Sequence, residues 1–372
     1  MRPDAAQARH FNQLAAQFMA QLDNEVPHRD LVERMLASVL RMSGDARRAD
    51  LKITTSALEE MERAFDLLEE HAQSRKAVLF GSARSRPEEA SYKQALEFSS
   101  NIADLGFMVI TGAGPGIMEA GNRGAGPGRS FGMGIALPFE TDANEYIEHD
   151  PKMLLFKYFF TRKLAFLKDS HAVVLSPGGF GTHDEGFEVL TLIQTGKAQL
   201  MPVVMLQPPD LGYWDNWNDF VRGSLLEKGM ISPADLSLFK ITDCVEDACA
   251  EICGFYRRFH SMRFEGDDLI LRLSEPLPEE HLEELSREFS DILSNGGITE
   301  SKSPEDGLWD RGLRELVHLR MRFDRSSYGR LRQMIDRINE PPVSQQQAPP
   351  DCGEGGRMPV ETDLNHLPRS GV

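Results

Sequence analysis

Apolar positions in this chain follow two rhythms. Up to about residue 73 they recur at helical spacing. Phe11, Leu14, Phe18 and Leu22 share one face, Leu31, Met35, Leu36 and Leu40 a second, and Leu58, Met61, Phe65, Leu67 and Leu68 a third. Stripes of this kind read as a packing layer or an oligomer contact rather than a chemical site. From Lys76 the rhythm changes to short, continuous apolar runs, each followed by a glycine loop or a helical segment. The runs are Ala77–Phe80, Phe107–Ile110, Gly132–Leu137, His171–Leu175 and Val203–Leu206. A helix with Ala95, Phe98, Ile102 and Leu105 inward is closed by Gly106, and Leu154–Phe160 leads into another that starts near Thr161. Apolar runs without polar alternation belong to strands buried on both faces, and their alternation with helices predicts an α/β fold with a Rossmann-like, doubly wound parallel sheet.

The pattern divides the chain into four parts. Residues 1–73 form a helical N-terminal extension, and residues 74–259 the sheet domain, ending with a helix near Tyr256–Phe259. Residues 260–338 form a small α+β appendage with strands at 269–273 and 317–323 and helices at 279–293 and 327–338. Residues 339–372, rich in Pro, Gln and Gly and without periodicity, are expected to be disordered.

Composition narrows the function. The 372 residues suffice for a full α/β core plus appendages. Asp and Glu outnumber Lys and Arg by 58 to 41, a formal charge of −17, which argues against a nucleic-acid footprint and for a small-molecule partner. Cys244, Cys249, Cys253 and Cys352 make neither a disulfide framework nor a metal set, so buried thiols in a reducing cytosol are expected, with no metal. The N-terminus has no apolar signal-peptide core, and no apolar run approaches the roughly 20 residues of a membrane span. A soluble cytoplasmic protein is expected.

Three glycine loops fall at carboxyl ends of strands, where open parallel sheets bind ligands: Gly81–Arg84 with Ser82, Thr111–Gly116, and Ser176–Thr182. Gly112, Gly114 and Gly116 lie two apart with Pro115 between, so G-x-G-x-x-G is not met. The third loop, with Gly178, Gly179, Gly181 and Thr182, runs into a helix. Backbone N–H groups and the positive end of that helix would gather there around an anion such as phosphate. Glu185 falls about one turn inside that helix, and the Arg162–Lys163 pair begins the preceding one. A carboxylate beside a phosphate anchor suits cleavage of a glycosidic bond, whose transition state is oxocarbenium-like, while a cation can hold the phosphate or the leaving base. Each group also has a bland role: early-turn acid for Glu185, solvated face for the cations, exposed helix residue for His183.

Together, Gly112–Ala120, Arg162–Lys163 and Pro177–Glu185 resemble the LOG family of phosphoribohydrolases, named for plant Lonely Guy enzymes and formerly mislabelled lysine decarboxylases. The motif P-G-G-x-G-T-x-x-E is met in full. The resemblance spans about residues 76 to 258, and the terminal additions are similar to the longer bacterial members. It implies hydrolysis of a nucleoside 5′-monophosphate, AMP or a related purine nucleotide including a cytokinin riboside 5′-monophosphate, to free base and ribose 5-phosphate. It also implies Arg162 and Glu185 as the catalytic pair, Gly179–Thr182 as the phosphate loop, substrate contacts at Glu140, Lys163 and Thr191, and a homodimer or larger homo-oligomer with the site near the subunit boundary. No cofactor is implied. His183, Gly186, Gly134 and Phe159 depart from residues usual in the family and alter the pocket wall rather than a catalytic group. The alternative reading is a nucleotide-binding or sensing protein without turnover, motivated by the additions at both ends.

Overall fold

The structure is a computed structural model that describes residues 5–22, 26, 28–44, 46–137, 143–301, 313 and 315–340. The chain forms two compact units, one up to Arg63 and one from Ala64 onward.

The first unit contains α1 (Ala5–Met19), α2 (Arg29–Ser43) and the start of α3 (Arg48–Glu70). Arg29 donates to the Met19 carbonyl and Arg41 to the Asn12 amide oxygen, tying α1 to α2. Several stripe residues expected to be covered, including Leu14, Phe18, Leu31 and Met35, are exposed.

The second unit is built on a seven-stranded sheet. Its elements are β1 (Lys76–Phe80), α4 (Ala90–Asp104), β2 (Met108–Thr111), α5 (Ile117–Ala125), β3 (Ser130–Ile135), β4 (Met153–Phe156), α6 (Phe159–Lys168), β5 (Ala172–Leu175), α7 (Phe180–Gln194), β6 (Val203–Leu206), α8 (Tyr213–Phe220), β7 (Lys240–Thr242) and α9 (Val245–Phe255). The strand order is β4-β3-β2-β1-β5-β6-β7, with every pairing parallel. β1, β2, β5 and β6 are buried along their whole length, which is why their sequences lack polar alternation. The expected doubly wound parallel sheet is therefore present. The chain leaves β1 toward one edge and returns at β5 to build the other, so the β1/β5 junction is the topological switch point.

A second sheet follows, from β8 (Phe259–Glu265), β9 (Asp268–Leu273), α10 (Glu279–Glu288), β10 (Leu293–Ser301), β11 (Val317–Phe323) and α11 (Tyr328–Asn339). Its order is β10-β11-β9-β8, all antiparallel. Asn339 fastens α11 to the end of α9: its side-chain oxygen accepts from the Arg258 and Phe259 N–H groups, and its amide donates to the Phe255 carbonyl. Of the tail expected from residue 339, all but Asn339 and Glu340 lies outside the described residues. Cys244 and Cys249 are free thiols, and burial lifts Cys249 to about 12. Cys253 is disulfide-bonded, which corrects the expectation of unpaired thiols; spacing alone does not encode which cysteines meet. Among the described residues no helix is long and apolar enough to cross a membrane.

Candidate active site

The three glycine loops meet because each follows a strand at the switch point. The Ser82 N–H donates to the Pro177 carbonyl at 3.2 Å, and the Ile117 N–H donates to the Ser82 carbonyl at 3.0 Å. This lacing leaves no room for side chains at two positions. A β-carbon at Gly178 would lie 2.1 Å from Thr182 Oγ1 and 3.0 Å from the Ser82 nitrogen. Gly116 has φ +70°, and a β-carbon there would lie 2.4 Å from the Ser82 carbonyl oxygen.

Gly179 and Gly181 are different. A β-carbon on either would meet no described atom within 4 Å, and Gly179 has φ −89°, which any residue adopts. The fold does not demand glycine at these two positions, whereas a ligand approaching the backbone would. Gly179 is the N-cap of α7, no side chain caps that end, and the first-turn N–H groups and helix dipole therefore face the loop's surroundings.

These loops line a cavity of about 1290 Å³. Gly81, Ser82, Gly112, Gly114, Gly178, Gly179, Gly181 and Thr182 all border it, together with Arg162 and Glu185. Arg162 reaches it from α6, with Nε donating to the Met133 carbonyl at 2.7 Å, Nη2 to the Gly112 carbonyl at 3.4 Å, and its guanidinium 4.9 Å over the Phe166 ring. Burial pulls its pKa down to about 10, still far above neutrality, so it remains a cation. Glu185, on the inward face of α7, is only 7% exposed. Burial pushes its carboxyl up to about 7, against the opposing pull of Lys163 and Arg162. A carboxyl that exchanges its proton near neutral pH is suited to general acid–base work.

The remaining expected residues are placed elsewhere. Gly116 shapes the loop behind the cavity wall. Lys163 Nζ contacts Glu188 at 2.5 Å, Asp184 at 2.8 Å and Glu185 at 3.8 Å, so it acts through an acidic cluster rather than on the cavity. Burial works against its charge, but the Asp184 and Glu188 bonds outweigh that and raise its pKa. Thr191 lies exposed on α7, away from the cavity. Glu140 lies outside the described residues.

Sequence reading missed Asn144. It borders the cavity and donates to the Ala113 carbonyl at 3.0 Å and the Gly114 carbonyl at 3.1 Å, holding the second glycine loop. It sits in an irregular segment with no periodicity to mark it. Among the described residues no group of three His, Cys, Asp or Glu is placed to hold a metal ion.

Residues 116–252 match the family model described as "possible lysine decarboxylase". A cytokinin riboside 5′-monophosphate phosphoribohydrolase of Mycobacterium tuberculosis is 29% identical over 159 residues, 41% of this chain and 81% of that protein. Among solved structures, the molybdenum cofactor binding protein of Rippkaea orientalis is 19% identical with a TM-score of 0.33, covering 46% of this chain and 90% of that one. The molybdenum cofactor carrier protein of Chlamydomonas reinhardtii is 18% identical with a TM-score of 0.32, covering 48% and 94%. The family model and the Mycobacterium tuberculosis relative therefore place the likeness in the α/β region, the same stretch that carries the motifs resembling the LOG family.

Proposed function

We propose that the protein hydrolyses the N-glycosidic bond of nucleoside 5′-monophosphates, releasing free base and ribose 5-phosphate. The observation that carries this reading is the meeting, in one cavity, of the uncapped α7 N-terminus with its open Gly179 and Gly181, the half-buried Arg162 cation and the buried Glu185 carboxyl. Phosphate fits the helix end, because backbone N–H groups and the dipole act there together. A ribose anchored by its phosphate presents C1′ to the neighbouring side chains. As the base departs with the bonding electrons, positive charge grows on C1′ and the ring oxygen, and the Glu185 carboxylate stabilises it. Water adds at C1′ and gives its proton to Glu185, while the departing base takes one up. Arg162 supplies fixed positive charge for the phosphate or the leaving base.

AMP and other purine nucleotides are the first substrates to try, with prenylated adenine nucleotides as a narrower class suggested by the name of the Mycobacterium tuberculosis relative. No lysine is among the described residues lining the cavity, and Lys163 is engaged by three carboxylates, so nothing there favours the decarboxylase description. We also propose a homodimer, supported by the exposed Phe159, Phe160 and Leu164 along α6 beside the site.

Incubation with AMP is expected to yield adenine and ribose 5-phosphate, with adenosine uncleaved because it lacks the anchor. Release that persists unchanged in Glu185→Ala sinks the assignment. Tight AMP binding with no base released from any nucleotide points instead to a sensor.

A further inference from the structure

Beside the anion loop stands a pair of side chains that the reaction just described does not use. Tyr213, the first residue of α8, donates its hydroxyl to the Gly178 carbonyl at 2.5 Å, and its oxygen lies 2.7 Å from His183 Nε2. A phenol has one proton. With that proton committed to a carbonyl, which only accepts, the imidazole must be the donor in the second contact. The hydrogen bonds therefore run one way, from His183 Nε2–H to the Tyr213 oxygen and from the Tyr213 hydroxyl to Gly178, and they fix the histidine tautomer.

The pair is firmly mounted. Tyr213 packs edge-on to the buried Trp214 at 4.9 Å between ring centres, and His183 packs against the same indole at 5.6 Å. The Trp214 backbone N–H donates to the Gln207 side-chain oxygen at 2.6 Å, which anchors the start of α8 to the end of β6. A strut of this kind has a directional consequence. The peptide bond between Gly178 and Gly179 is trans, so its C=O and N–H point to opposite sides. A carbonyl held toward Tyr213 turns the Gly179 N–H the other way, and a hydrogen bond accepted by that carbonyl polarises the same peptide and strengthens its N–H as a donor.

We infer that Tyr213 and His183 are positioning residues for the anion loop, pinning the Gly178 carbonyl so that the Gly179 N–H faces the substrate's phosphate; this rests on the phosphate-binding reading above. Tyr213 is not among the residues that line the cavity, and His183, which borders it, spends its Nε2 on the phenol. Its effect falls on how tightly the phosphate end is held.

Ribose 5-phosphate titrated calorimetrically into the full chain tests this, alongside steady-state kinetics with AMP. In Tyr213→Phe and His183→Leu, affinity for ribose 5-phosphate is expected to fall roughly three- to tenfold, the range of one net hydrogen bond. KM for AMP should rise in step while kcat changes by less than about twofold. His183→Gln, whose amide can donate near the Nε2 position, should recover most of the loss. Wild-type affinity in folded Tyr213→Phe, or in His183→Leu where the phenylalanine variant does not fold, overturns the inference. So does a fall in kcat with KM unmoved. If the wild type itself binds no ribose 5-phosphate, the phosphate reading falls first and takes the inference with it.

Discussion

At the scale of single residues, the two open glycines separate folding from binding. Gly178 and Gly116 are needed by the fold, since a β-carbon at either collides with Thr182 or Ser82. Gly179 meets nothing among the described residues. Gly179→Ala is therefore expected to melt within about 2 °C of wild type, while KM for AMP rises about tenfold or more because the methyl group stands where phosphate approaches. A thermal scan and a Michaelis curve on the same preparation check both halves. Glu185 gives a pH signature. If its carboxylate is the working form, AMP cleavage should climb between pH 6 and 8 with a midpoint near 7, the value to which burial raises it. Glu185→Gln should lose about a hundredfold or more in kcat and show no such step. Stability runs the opposite way. The folded carboxyl keeps its proton between its ordinary 4.5 and about 7, a window in which the unfolded chain has released it. This group's contribution is thus most favourable below the window and declines as pH rises through it. Glu185→Gln should consequently be the more stable protein at pH 8, by on the order of 1–3 kcal/mol, and lose that advantage near pH 4. Denaturant melts at the two pH values decide it.

At the scale of elements, a buried polar knot holds the second glycine loop. Thr111 at the end of β2 donates to the Asn122 side chain at 2.7 Å, Asn144 donates to the same oxygen at 2.9 Å, and Asn122 donates to Ser130 at 3.1 Å. Asn122→Ala strands the Thr111 hydroxyl donor in the interior and leaves Asn144 held only by the Ala113 and Gly114 carbonyls. We expect a loss of about 2–4 kcal/mol in urea unfolding, and a fall in kcat/KM as the 112–116 loop loses its anchor. Legibility in the sequence followed burial. β1, β2, β5 and β6 were readable because they are buried end to end. β7 was not, being three half-buried residues at a sheet edge. β10 carries Ser294, Asn295, Gly296 and Gly297 and its pairing slips twice, so no apolar rhythm marks it. β8 was not read as a strand: the helix was expected to run on to about Phe259, whereas α9 stops at Phe255 and Phe259 opens β8 in register with β9.

At the scale of the whole molecule, the exposed apolar face of α6 makes an oligomer testable. Leu164→Glu would bury a charge in the proposed contact and should weaken self-association by about 2 kcal/mol or more, read as a shift from dimer to monomer in sedimentation velocity. A wild type that sediments as a monomer at all accessible concentrations removes the proposal. The acidic total of −17 argued for a small-molecule partner and the glycine loop at 176–182 for an anion, and both are properties of the sequence. Apolar runs and glycine spacing depend on local backbone geometry, so the chain itself determined the parallel sheet, the loop at 176–182 and the candidacy of Arg162 and Glu185. Tertiary structure alone decided that Lys163 answers to three carboxylates, that Thr191 faces away from the cavity, and that Asn144 and Tyr213 stand behind the loops. These facts depend on which distant segments meet at the switch point, and no spacing along one segment encodes the direction in which another arrives.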